Sequence, residues 1–327
     1  MATSEQIKAL VHSYSEGDDE RFQGIALQLA AEAARKGQES FAKDLRTLIE
    51  RARKQNGSTI SEQILQFGRP KGELEGLLLL THPKMKLPDM ILETSIREKI
   101  FRILLEQQEQ EILYAHGLQP IRKIMLTGPP GTGKTLTAGV IAAELHLPLF
   151  TIQLHNLITK YMGETSSKLS QIFDAMSKVR GVYLFDEFDA LGGERGNDND
   201  IGEMRRILNS FLLFLEQDQS TSIVIAATNH ISLLDQALFR RFDSAIQYTF
   251  PKNQEIKNLI ESHLSYFKSI KLDWKQIINT GTGLSHGDII RATEQAAKVS
   301  ILNKEKTILN QSIIASLNER KQLHPVR

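Results

Sequence analysis

The sequence predicts an α/β protein: a doubly wound sheet of parallel strands, a helical domain after it and a small helical bundle before it. Three observations carry this. Five short apolar runs, "RKIMLTG", "LPLFTIQL", "GVYLFDEFD", "SIVIAATN" and "SAIQYTF", lie between residues 122 and 250 and are interleaved with amphipathic helical segments. Such runs fit strands buried on both faces of a parallel sheet. From Pro251 onward, and again over residues 1 to 55, the periodicity is helical only.

Taken in order, residues 1–55 form three helical stretches separated by glycine-marked breaks. Phe22, Ile25, Leu29 and Ala33 fall on one face, as do Phe41, Leu45, Leu48 and Ile49, which suits a small bundle or a helical extension of the main core. Residues 56–87, which include "NGSTISEQILQFGRPKGELEG", are glycine-rich and polar and read as a linker. A dense α/β core is predicted over 88–250. In it Ser95 and Glu98 form a capping box for a helix running to Gly117. A helical domain over 251–327 closes the chain.

Composition bounds the function. The chain has 327 residues, 41% of them hydrophobic, which suffices for two or three domains. Its 40 basic and 39 acidic residues give a formal charge of +1, so no global field favours nucleic acid or an anionic membrane. With no cysteine, disulfides, thiolate catalysis and cysteine zinc sites are excluded. The polar start "MATSEQIK" lacks a signal-peptide pattern, and the longest apolar runs are too short to span a bilayer, so a soluble, cytoplasmic protein is expected.

The chemistry concentrates in two segments. "GPPGTGKT" at 128–135 follows an apolar strand and opens the helix "KTLTAGVIAAEL", the context that a phosphate-binding loop requires. Gly128, Gly131 and Gly133 let the backbone curl so that its amides face anionic oxygens. Lys134 is expected to reach the β- and γ-phosphates and Thr135 to ligate Mg²⁺. The whole loop, with Pro129, Pro130 and Thr132, is assigned to ATP. "VYLFDEFD" at 182–189 is a buried strand ending in two carboxylates. Asp186 is predicted to hold the magnesium through water and Glu187 to polarise a water for attack on the γ-phosphate, which separates a hydrolase from a nucleotide sensor. Asn229 ends a neighbouring strand, where it would orient that water.

In this order and at these separations, "GPPGTGKT", "LFDEFDAL", "AATN" and "RRFD" resemble the AAA+ ATPases, specifically the AAA subgroup that includes katanin, spastin and the membrane-fusion ATPases. The likeness runs over about residues 88 to 318. It implies a five-stranded parallel sheet, a helical lid, and a homo-oligomeric ring, usually of six subunits, with ATP at each interface. The resemblance makes Arg240 and Arg241 arginine fingers for the neighbouring subunit; here they are adjacent, whereas members usually separate them by a few residues. "GLSHGDIIRA" has Ser285 where wider AAA+ relatives carry a phosphate-sensing arginine. Gly287 then resembles part of the adenine-facing turn, with a plain helix start capped by Ser285 as the other reading.

"KYMGE" matches the family's first pore loop, so Lys160, Tyr161, Met162 and Gly163 would grip an extended polypeptide. The polar run "GGERGNDNDIG" at 192–202 resembles a second pore loop or is a surface loop. The function expected is protein remodelling through a central pore, with residues 1–55 as an adaptor for a substrate or partner. Its alternative is an ATP-switched scaffold that regulates a partner such as an associated protease. A DNA-directed role is disfavoured by the neutral charge and the absence of a recognisable DNA-binding module.

Overall fold

In the computed structural model of the chain, the described residues are 77–154, 157–158, 164–191, 198–231, 236–265, 267, 272–304 and 307–323. The bundle expected over 1–55 lies outside them, as do residues 56–76 of the expected linker and the loop Lys160–Gly163.

One sheet organises these residues. Its strands are β1 (Leu78–Thr81), β2 (Lys123–Thr127), β3 (Leu149–Gln153), β4 (Val182–Asp186), β5 (Ile223–Thr228) and β6 (Ser244–Gln247), in spatial order β1-β3-β4-β5-β2-β6. All neighbours from β3 to β6 are parallel, as expected, and β5 is buried at every position. The sheet has one strand more than the five expected. β1 pairs antiparallel with β3, so residues 78–81 of the supposed linker are the sheet's edge. The alternating exposure of β1, one face in and one out, is what an edge strand needs, and its leucine run hid that alternation in the sequence. The turn Leu87–Asp89 is also fixed, because the Leu87 amide donates to the Glu144 carboxylate at 2.8 Å.

Helices cover both faces. On one side lie α1 (Thr94–Gln108), the short α2 (Gln110–Ala115) and α3 (Lys134–Glu144). The first of these buries Ile96, Ile100, Ile103 and Leu104 at helical spacing. It begins one residue before the predicted cap, with Glu93 rather than Ser95 at the N-cap, and it breaks at Glu109 instead of running on to Gly117. Residues Thr137 to Ala143 of α3 are all buried, because this helix lies between the sheet and α1. On the other side are α4 (Thr165–Lys178) and α5 (Asp198–Gln217), joined to β4 through an aromatic cluster of Phe173, Phe185, Phe188 and Phe211. Ring centroids there are 4.9–6.0 Å apart. Residues 198–202 of the expected polar loop form the first turn of α5.

The short helix α6 (Gln236–Phe239) precedes β6. Beyond Pro251 the lid consists of α7 (Asn253–His263), α8 (Trp274–Gly281), α9 (His286–Leu302) and α10 (Asn310–Leu323). It has its own core of Ile256, Ile260, Leu264, Ile277, Ile289, Ala292, Ile313 and Leu317, all fully buried.

Candidate nucleotide site

The sheet register brings the predicted residues together. Thr127 of β2 pairs with Thr228 of β5, so Gly128 and Asn229 leave adjacent strands at the same level. Asp186 ends β4 on the far side of β5. Ligands of parallel sheets bind at such carboxyl ends, where the strand order reverses.

The loop is shaped by backbone that only glycine adopts freely. Gly128, Gly131 and Gly133 have φ of 140°, 74° and 103°. A Cβ on Gly128 would collide with the Tyr248 carbonyl, and one on Gly131 would lie 2.5 Å from Ser285 Oγ. Tyr248 itself is held by a 2.5 Å hydrogen bond between its hydroxyl and Thr137 Oγ1 inside the core.

Lys134 opens α3 and is buried, and its Nζ donates to the Gly128 and Pro129 carbonyls, both at 2.8 Å. Burial pushes its pKa below the ordinary lysine value, opposed by the charges of Asp186 and Asp189. An ammonium in that position is under-solvated, and an anion arriving at the loop relieves it. Thr132 Oγ1 donates to the Pro129 carbonyl at 2.8 Å and braces the turn.

Thr135 Oγ1 donates to Asp186 Oδ2 at 2.9 Å. This pair offers oxygen donors only, the chemistry a hard divalent cation takes. With the cradle described above, the residues present fit Mg²⁺ and a nucleotide phosphate. Glu187 follows in the left-handed region, φ 53°, with its amide on Asp186 Oδ1 at 3.0 Å. That conformation is strained for a non-glycine residue. It turns the exposed Glu187 side chain out of the strand line, and its carboxylate has no partner among the described residues.

Asp189 was not singled out in the sequence. Its Oδ1 accepts from Thr228 Oγ1 at 3.0 Å and from the Asn229 amide at 3.1 Å, so it fixes the turn that carries Asn229. The only sequence signal was its place in "DEFD", which does not distinguish it from a solvated acid.

The two arginines lie elsewhere. β6 pairs in parallel with β2, with Ser244 opposite Ile124, so Arg240 and Arg241 sit at the amino edge of the sheet. At about 3.3 Å per residue, the length of β2 separates them from their own phosphate loop by roughly 15 Å. Arg241 Nε is paired with Glu216 at 2.7 Å, whereas Arg240 is exposed and has no ion pair among the described residues.

On the lid side, "SHGD" opens α9. Ser285 is the N-cap of α9, accepting from the Asp288 amide at 3.2 Å. Gly287 touches the loop directly, its amide donating to the Gly131 carbonyl at 3.0 Å. Beside this contact Pro130, Gly131, Phe250, Leu284 and Ser285 line a cavity of about 850 Å³.

The model of the ATPase family associated with various cellular activities matches residues 124–250, which contain all of this geometry except the lid contacts. Over nearly its whole length the chain is similar to an uncharacterised AAA family ATPase, y4kL, of Sinorhizobium fredii: 31% identity over 98% of this chain and 96% of that one. The chain belongs to the AAA family of ATPases. A more distant relative, the ATP-dependent zinc metalloprotease FtsH 2 of Sphaerobacter thermophilus, is 28% identical over 68% of this chain but only 35% of its own length. The crystal structure of the FIGL-1 AAA domain superposes with a TM-score of 0.60, covering 82% of this chain and 90% of that domain at 21% identity, and so shares the fold. Among the described residues of this AAA ATPase no helix is long and apolar enough to cross a membrane, and no cluster of three or more His, Cys, Asp or Glu is arranged to hold a metal.

Proposed function

We propose that this AAA ATPase hydrolyses ATP in a homo-oligomeric ring, with six subunits the expected number, and uses the cycle to draw part of a protein substrate into a central pore. The observation that carries hydrolysis is the pair of carboxylates at the end of β4: Asp186 engaged with Thr135, and Glu187 free beside it. A protein that only sensed ATP would have no use for the second.

On ATP binding Lys134 exchanges its two carbonyl partners for β- and γ-phosphate oxygens. Bound Mg²⁺, held by Thr135 and Asp186, would neutralise charge on those phosphates. Glu187 accepts a proton from the attacking water, which Asn229 orients. The water oxygen bonds to the γ-phosphorus as the bridge to the β-phosphate breaks, leaving ADP and phosphate. The distance of Arg240 from its own loop supports its acting on the neighbour's γ-phosphate, and the Glu216 partner of Arg241 makes Arg240 the better candidate.

Pore threading rests on "KYMGE" in the sequence and on membership of the family. Residues 1–55 would select the substrate or partner. The test is whether ATP drives the Glu187→Gln variant into closed rings, followed by light scattering, that retain co-purified polypeptide. Rings carrying Tyr161→Ala as well should form equally and lose that polypeptide. Retention independent of Tyr161 would favour an ATP-switched scaffold for a partner such as a protease.

A further inference from the structure

Ser285 and Gly287 both face the phosphate loop, through the close approach to Gly131 and the 3.0 Å hydrogen bond. The residue between them packs elsewhere. His286, first in α9, lines a small cavity of about 10 Å³ with Leu92, Glu93 and Ile96 from the core, Phe250 and Pro251 from the connector, and Glu255 from α7. That space admits one water molecule at most. His286 thus lies where the core, the connector and the lid meet around one small space. Its Nδ1 is buried without a hydrogen-bond partner among the described residues.

We propose that His286 is a positioning residue for nucleotide binding: its neutral imidazole wedges the first turn of α9 against Gly131, and its protonation loosens that turn and weakens ATP affinity. The inference rests on the ATP-site reading above. The nearest carboxylates are already engaged by other donors. Glu93 is paired with Lys252 at 2.7 Å, and the Glu255 carboxylate accepts from the Lys252 amide at 2.6 Å. Asp288, in the same first turn of α9, is engaged by Ser285 Oγ at 2.7 Å. The ring also sits at the positive end of a 17-residue helix, which disfavours an added positive charge.

Burial holds His286 below the ordinary imidazole pKa, with Glu255 opposing the effect more weakly. If the first turn of α9 moves away, the ring meets water and returns to about 6.5. The seated lid is therefore favoured fully above that value, and the advantage is lost as pH falls below it.

The experiment measures the Kd of a fluorescent ATP analogue with Mg²⁺ from pH 8.0 to 5.5 for wild type, His286→Phe and His286→Gln. Phosphate ionisation near pH 6 is common to all three, so the ratio of wild type to variant isolates the histidine. The expected result is a ratio that rises by about threefold or more between pH 7.5 and 5.5. A flat ratio with intact binding overturns this proposal alone. No binding by wild type at pH 8.0 overturns the ATP reading and this proposal with it. A second measurement needs only enough variant to assign one signal: the imidazole C–H resonance of His286 should titrate at a lower pH with the analogue bound than without it, and an unmoved midpoint overturns the proposal.

Discussion

The Gly287 amide is hydrogen-bonded to the Gly131 carbonyl at 3.0 Å, so the lid's long helix is joined by main chain to the phosphate loop. A lid held this way reports on the loop's shape, and the loop on the lid's seat. Gly131 has φ 74° and Ser285 Oγ lies where its Cβ would be. Gly131→Ala adds left-handed strain of about 1–2 kcal/mol to that collision. Affinity for an ATP analogue should fall by at least tenfold, since 1.4 kcal/mol is about a factor of ten. Adding Ser285→Gly should restore part of it. Equilibrium titration of the single and double variants checks this, and equal losses in both would show the hydroxyl to be irrelevant.

Glu187→Gln keeps the side-chain shape and removes the proton acceptor. Mg·ATP binding should persist while turnover falls by about a hundredfold or more. Single-turnover hydrolysis and analogue binding, measured on one preparation, separate the two effects. Near-normal turnover would remove Glu187 from the chemistry.

Arg240 and Arg241 should behave differently. Arg240→Ala subunits are expected to assemble but not hydrolyse, and mixing them with Lys134→Ala subunits should recover activity, because each supplies what the other lacks across the interface. Arg241→Ala removes an exposed pair with Glu216, worth about 0–1 kcal/mol, and should leave most of the ATPase. Recovery of activity with Arg241→Ala subunits instead would exchange the two roles.

Tyr161→Ala is expected to leave assembly and basal ATPase intact and to abolish remodelling of a bound substrate, with Tyr161→Phe restoring it through the ring face. If Tyr161 were a core residue, truncation would cost about 3–5 kcal/mol and thermal melting would report it.

Tyr248→Phe removes the hydroxyl bonded to Thr137 Oγ1 inside the core, beside the wall against which Gly128 packs, while Thr137 keeps its 3.0 Å hydrogen bond to the Gly133 carbonyl. A loss of about 0.5–1.5 kcal/mol is expected for this single bond, whereas Thr137→Val alone orphans the buried Tyr248 hydroxyl and should cost about 1–3 kcal/mol, so the double variant should lose less than the sum of the two. Denaturant titration of the two single variants and the double variant measures the coupling.

Some of this was determined by short-range pattern alone. Strands β2, β4 and β5 were legible because burial on both faces forces continuous apolar runs, and the phosphate loop because glycines at 128, 131 and 133 before Lys134 serve a local backbone purpose. The motif order in one chain was also enough to point to the family. The edge strand β1 was not legible, since four residues with leucines on both faces state no period and only pairing with β3 makes them a strand. Nor was the break at Glu109, where helical periodicity continues on both sides. The separation of Arg240 from its own phosphate loop, the Glu216 partner of Arg241, the service of Asp189 to Asn229 and the wedge at His286 all depend on residues 25 to 194 positions apart meeting in space. Such contacts are set by how the strands stack and how the lid sits on them, and a linear pattern records the local preference of each segment but not the partner it will meet.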